Sequence, residues 1–299
     1  MKHFFFSVLV CALLYSCGSQ KKITTTREAL SLIKQEQEKE NTKLTGISGF
    51  SVAKATEGKI DSNINNRIAA VLKKYQDAVD SARKNASAID SLLADKKNFR
   101  KNYKSFVLPL LDSLQKINTQ YTERLSVYMM VEEGLSIADY NLFDLAAFFG
   151  PGVYTIPDDK TDMALSSFSP IVDSLVVFSN KFSDRPRTAS LVILGFADGA
   201  GFSSEGPLFD ILTSMIGRRD VAKEELNQKL SELRALELSK QLTKIFLQKA
   251  PAFKNFDSLK IEYIPQGKGE AYPLPSIKDY MVDDARRRIV LCYWVVLPG

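Results

Sequence analysis

Leu191-Val192-Ile193-Leu194-Gly195-Phe196-Ala197-Asp198-Gly199 and Asn227-Gln228-Lys229-Leu230-Ser231-Glu232-Leu233-Arg234-Ala235 decide how the second half of this chain folds. The first stretch is a short, continuous apolar run that stops at glycine, the pattern of a buried strand. The second reads as the head of a helix. Ser231 is placed to cap it, Arg234 falls in its first turn, and apolar residues follow at 235, 238, 242, 245 and 246. A carboxylate at a strand end and a guanidinium at a helix start suit a zwitterionic ligand.

Working outward, Gly150-Pro151-Gly152 forms a cluster of breakers that marks a domain boundary. Beyond it, 153–156 reads as a strand, 170–182 as a helix, 190–195 as a strand and 231–247 as a helix, with strands at 259–265 and 288–296. That β-α-β-α-β-β order predicts a two-layer α/β sandwich with right-handed crossovers. Leu208, Phe209, Ile211, Leu212, Met215 and Ile216 predict an added helix that ends at Gly217.

Four short patterns in this half carry a resemblance. Asn227, Leu230, Ser231, Arg234 and Ala235 fit N-x-x-L-S-x-x-R-A. Gly195 to Asp198 fits G-[HYF]-[TA]-D. Gly267, Gly269, Glu270 and Pro273 fit G-x-G-E-x-x-P, and Arg287-Arg288-Ile289 resembles a closing N-R-R-V. In this order the motifs resemble the OmpA-like peptidoglycan-binding domain, over roughly residues 150–299. The resemblance implies an aspartate and an arginine that hold the diaminopimelate of a peptidoglycan stem peptide. Asp198 would take its ammonium and Arg234 its carboxylate, the latter bidentately and aided by helix-start N–H groups near Ser231. Asn227, Leu230 and Arg287 stand where the family has further pocket residues. An ion pair between Asp198 and Arg234 is the alternative reading of the same two residues.

The chain departs from the family at three points. The segment 199–226 is longer than the usual loop and must fold beside the pocket, where it would enlarge, cover or block it. Arg286 replaces the asparagine of the last motif and makes a run of three arginines, of which at least one is expected to be solvated. Ala197 stands where threonine is frequent.

The first half is different in kind. Lys2 and His3 precede an apolar run from Phe4 to Tyr15, a secretory signal too short to span a bilayer. Leu14-Tyr15-Ser16-Cys17 resembles a bacterial lipobox, which implies a signal over 1–16 and lipidation of Cys17. Residues 17–58 are polar and read as a tether, with a short solvated helix at 34–43. An amphipathic helix follows at 61–93, with a second at about 99–131 that Pro109 should kink or open. The joint Asp95-Lys96-Lys97-Asn98 suits an antiparallel hairpin, so 59–149 is expected to be a helical hairpin or bundle. In a third apolar segment, 135–149, Phe143, Leu145, Phe148 and Phe149 are assigned to the core of the helical part or to the seam between domains, not to a ligand box.

Composition narrows the chemistry. The formal net charge of +5 is spread over mixed signs, which argues against a nucleic-acid partner. The sole histidine, His3, and Cys11 lie in the signal, and Cys292 sits in an apolar run. After signal removal no imidazole is left for a catalytic dyad or a His-bearing zinc site, and no nucleophile–base pair is visible. The expectation is an α+β, non-catalytic outer-membrane lipoprotein without metal or cofactor. It faces the periplasm, anchored through Cys17 and bound to peptidoglycan, with a helical region that spaces the two or docks another envelope protein. The second expectation is an envelope protein-interaction module that keeps the fold without wall binding and works through 199–226.

Overall fold

The computed structural model describes residues 19–136, 141–143, 149–203, 206–274 and 277–299. The signal, Cys17, Leu145, Phe148 and the Phe143 side chain lie outside the described residues. The chain is α+β and divides into two compact units, Met1–Glu132 and Glu133–Gly299. The division thus falls before the third apolar segment rather than at Gly150, because part of that segment joins the sheet of the second unit as a strand.

The first unit is a three-helix bundle. Helix α1 (Ser19–Thr56) occupies the stretch expected to be a polar tether, and that expectation is corrected. Its most deeply buried positions are Ile23, Thr26, Leu30, Ile33, Gln37, Glu40, Leu44, Ile47 and Ser51, with Thr25 and Ala29 flanking them. The nine alternate in steps of three and four, the heptad seam of a coiled coil. Four of the nine are polar, so the periodicity is invisible to hydropathy alone. Helix α2 (Ser62–Ala94), capped by the Asp61 carboxylate on Ile64 N, returns antiparallel. Ser51 donates to Asn65 at 2.7 Å, Gln76 to Asn41 at 3.0 Å, and Arg83 to Glu38 at 2.5 Å, while Lys34 pairs with Asp90.

The third strut is a broken helix: α3 (Lys96–Asn102), a π turn (Tyr103–Val107), α4 (Leu108–Thr119) and α5 (Tyr121–Ser136). Asp95 alone separates α2 from α3. Its N–H bonds to the Leu92 carbonyl and its carboxylate accepts from Lys97 N and Asn98 N. The π turn is where Pro109 makes itself felt. Proline has no N–H for the carbonyl four residues back and its ring crowds that carbonyl, so the preceding turn widens.

The bundle core holds one charged cluster. Glu40 accepts from Arg124 Nε at 2.6 Å and Nη2 at 2.9 Å, and from the Tyr128 hydroxyl at 2.6 Å; Arg124 also reaches the Ile117 carbonyl at 3.0 Å. Burial raises the Tyr128 pKa, and the bond to Glu40 adds to the rise.

In the second unit the elements run β1 (Asn141–Phe143), α6 (Thr161–Lys181), β2 (Arg187–Gly195), α7 (Pro207–Ile216), α8 (Lys223–Lys249), β3 (Leu259–Gly267) and β4 (Val290–Pro298). The sheet order is β1-β4-β2-β3, with β2 parallel to β3 and β4 antiparallel to β1 and β2. The expected alternation of elements is present, but its first strand is 141–143. Residues 153–156, expected as a strand, are irregular, and the Val153 carbonyl instead accepts from Arg234. Helix α6 begins well before Pro170 and runs through it, held by a buried face of Ala164, Phe168, Ile171, Val172, Leu175 and Phe178. It meets the sheet at Trp294, whose indole donates to Ser174 at 3.1 Å and whose ring lies 5.2 Å from Phe178.

Helix α8 begins eight residues earlier than expected, after Ala222, so Ser231 is not its cap. Ser231 sits mid-helix at the closest approach to the sheet. A Cβ on Gly195 would stand 2.0 Å from the Ser231 carbonyl oxygen, and one on Gly267 2.6 Å from its hydroxyl. These glycines are paired in register at the ends of β2 and β3, and only glycine lets the helix lie this near.

Candidate functional site

Register carries the four motifs to one place. Gly195 pairs with Gly267 on one side and Val290 on the other, so the loops leaving β2 and β3 and the segment entering β4 meet at one edge. Backbone bonds knit them: Phe196 N to Ile289 O at 3.0 Å, Ala197 N to Gly269 O at 2.8 Å, and Lys268 N to Gly195 O at 2.8 Å. Gly269 N also donates to the Ser231 hydroxyl at 2.9 Å, which fastens α8 to the turn.

Onto this frame the chain places its charges. Asp198 is buried and pairs with Arg288 at 2.6 Å, not with Arg234. Arg234 is 1% exposed; its Nε donates to Val153 O at 3.1 Å and its Nη1 to Phe196 O at 2.9 Å, with the Phe149 ring 6.0 Å away. Burial lowers the Arg234 pKa to about 10, opposed by the negative field of Asp198 and assisted by Arg288. The guanidinium is therefore held mainly by backbone carbonyls. Ser231 lies inside α8 rather than at its start, so the expected anion contact from helix-start N–H groups around it is corrected.

Asn227 is 1% exposed. Its amide donates to Glu270 Oε1 at 2.7 Å, while its own Oδ1 has no partner. Lys223 Nζ lies 3.4 Å from the same Glu270 oxygen and donates to Gly199 O at 3.1 Å. Arg287 is buried, and its Nε has no hydrogen-bond partner. It donates to Met281 O at 3.3 Å, to Val282 O at 3.0 Å and to Glu270 O, and lies 5.0 Å from the Tyr272 ring. It pins the loop before β4. Arg286 is the exposed member of the run and pairs with Asp279 and Asp284.

Asp198, Asn227 and Leu230 share a cavity of about 270 Å³ with Gly152, Phe202 and the first turn of α7, Pro207-Leu208-Phe209. Helix α7 covers this face. Leu212 is fully buried against Ala197, Leu226 and Leu230, and Gly217 closes the helix at φ 86° in the left-handed region. Phe209 lines the cavity, which stays open. Of the five expected ligand residues three reach the cavity wall, Arg234 stands against backbone carbonyls, and Arg287 bonds through Nη1 and Nη2 to loop carbonyls. Arg288, the arginine that reaches Asp198, was not among them. Comparisons with protein-family models, curated proteins and solved structures find no match.

Proposed function

We propose that the second unit binds the zwitterionic end of a peptidoglycan stem peptide in the Asp198 cavity. The chain would thereby tether an outer membrane, reached through lipid on Cys17, to the cell wall without catalysing a reaction. The observation that carries this reading is the Asp198–Asn227–Leu230 cavity, assembled where the OmpA-like motifs meet in the β-α-β-α-β-β unit.

The chemistry follows from the donors and acceptors. A ligand ammonium brings three N–H donors. It finds the Asp198 carboxylate and the Asn227 oxygen, which has no hydrogen-bond partner. The ligand's carboxylate then lies in the positive field of Arg234, a field that burial strengthens because little water screens it. Asp198 already has a cation, so the ligand must share it with Arg288 or displace that guanidinium. Affinity is thus the difference between two charge pairings rather than the worth of one.

The test is retention of the chain from Gly18 on purified sacculi, compared with Asp198→Asn and Asn227→Ala. Asp198→Asn keeps the shape of the cavity wall, and Asn227→Ala removes the unpartnered oxygen together with the amide bound to Glu270. Retention that both variants lose, with melting temperatures showing them folded, supports wall binding at this cavity. No retention of the unmutated chain rejects it.

One observation favours a second reading, a protein-interaction module. Helix α7 exposes Met215 and Ile211 while its other face closes over Ala197 and Leu230. Under that reading sacculi never retain the chain, and substitutions at Met215 and Ile211 abolish capture of an envelope partner.

A further inference from the structure

We infer that the end of the helical bundle nearest Ser19 carries a binding site for the anionic phosphodiester headgroup of a lipid. A cavity of about 250 Å³ opens there, lined by Lys22, Phe99, Arg100, Lys101, Tyr103 and Lys104. The antiparallel pairing of α1 with α2 brings the start of α1 beside the α2–α3 joint, so residues remote in sequence share one end of the bundle. Residues 18–27 and 91–104 together hold eight basic side chains against one carboxylate, Asp95, and that carboxylate is occupied in capping α3. Among the described residues, Lys22, Arg100, Lys101 and Lys104 form no ion pair.

Three further observations point to a ligand rather than a solvated face. Tyr103 is 4% exposed, and its hydroxyl, buried beside these cations, has no hydrogen-bond partner. An orphaned buried hydroxyl costs stability unless something arrives to accept or donate, and a phosphate oxygen is an acceptor. Lys22 Nζ lies 5.1 Å from the Tyr103 ring centre, so one cation is already drawn over the cavity wall. Tyr103 also opens the π turn, which sets its ring apart from the regular helical register.

The lipid rather than a free anion is the source because of where the cavity stands. Ser19, already in helix α1, stands two residues after the expected lipidated Cys17, so this end of the bundle is the one next to a bilayer. A single lipid anchor is strengthened by a basic patch at the surface. For this choice of source, and only for it, the inference rests on the anchor reading. The mass of acylated Cys17 tests that reading separately.

The experiment is flotation of the unacylated chain from Gly18 with phosphatidylcholine vesicles, with and without phosphatidylglycerol, and a parallel thermal melt in inorganic phosphate. Expected is binding only to the phosphatidylglycerol vesicles. R100Q/K101Q/K104Q, which changes exposed side chains alone, should weaken it roughly a hundred-fold, about five-fold per cation. Tyr103→Phe should weaken binding several-fold while leaving the free chain's melting temperature equal or higher, because an unpaired buried hydroxyl is removed. Tyr103→Phe that binds as tightly as the unmutated chain overturns the site, reducing it to a diffuse charge. Stabilisation by phosphate without vesicle binding overturns the lipid as its source.

Discussion

Asp198 and Arg288 stand 2.6 Å apart with side chains only 9% and 16% exposed, joining the end of β2 to the start of β4 across the candidate site. Removing one partner of such a pair strands the other charge away from water and costs on the order of 3–5 kcal/mol. Arg288→Met should therefore lower the stability of the second unit by about that amount in urea titration. The same substitution frees Asp198, so sacculus binding per folded molecule should rise. Asp198→Asn should lose both stability and binding. Opposite effects on binding from the two halves of one ion pair would show that ligand and Arg288 compete.

Gly195 predicts a packing defect of unusual severity. An alanine methyl there collides with the Ser231 carbonyl at 2.0 Å, a backbone atom that moves only if all of α8 moves. Gly195→Ala should cost more than about 3 kcal/mol, beyond the ordinary range for single substitutions. Gly217→Ala meets no neighbouring atom but holds φ 86°, so its cost should be about 1 kcal/mol. Denaturant unfolding of the two variants gives the ranking directly.

The buried cluster in the bundle should respond to pH with a definite sign. Burial first, and the bond to Glu40 second, raise the Tyr128 pKa above its ordinary value. A raised folded pKa contributes stability that is fully present below the unfolded value of about 10 and is lost as pH rises above it. Helical circular dichroism should therefore melt at progressively lower temperature above about pH 10, with a shallower decline in Tyr128→Phe. At neutral pH, Glu40→Gln should cost about 3–5 kcal/mol by leaving Arg124 buried without its anion.

Cys292 gives a reporter of the sheet. It is fully buried in β4, and burial pushes its thiol up to about 12, so neither access nor thiolate is available at neutral pH. The chain from Gly18, in which it is the only cysteine, should take up no thiol reagent while folded and one equivalent in denaturant. Labelling at the rate of a free thiol would mean that β4 is not where the structure places it.

What could be read from the residues alone followed hydropathy, and what could not followed polar atoms in apolar places. Strand β2 was legible from its unbroken run Leu191-Val192-Ile193-Leu194, and the helix after Gly206 from the spacing of Leu208, Phe209, Ile211, Leu212, Met215 and Ile216 before Gly217. Helix α1 was not, since Thr26, Gln37, Glu40 and Ser51 hold seam positions that a hydropathy count assigns to solvent. The heptad spacing itself, Ile23 to Leu30 to Ile33 and Leu44 to Ile47, was the signal that could have found it. Ser231 was misread as a cap because a small hydroxyl residue before an apolar stripe suits a helix start as well as a close crossing. At the site, Asp198, Asn227 and Leu230 were placed by motif spacing. Arg287 and Arg288 were told apart only by the turn Ala285–Arg287, which aims one at the loop and the other at Asp198.

The three-strut bundle has a mechanical consequence. With three struts, the described chain runs along α1 from Ser19, returns along α2 and runs forward again to Glu132, which pairs with Lys43. At about 1.5 Å of rise per residue, α1 has climbed roughly 36 Å between those levels. Pulling on the two ends of this unit therefore loads the helices lengthwise. Its seams must slide as a whole instead of peeling open one contact at a time. The Glu40–Arg124–Tyr128 cluster sits in that seam as a bolt against sliding, so the bundle is built to stay rigid until it yields all at once.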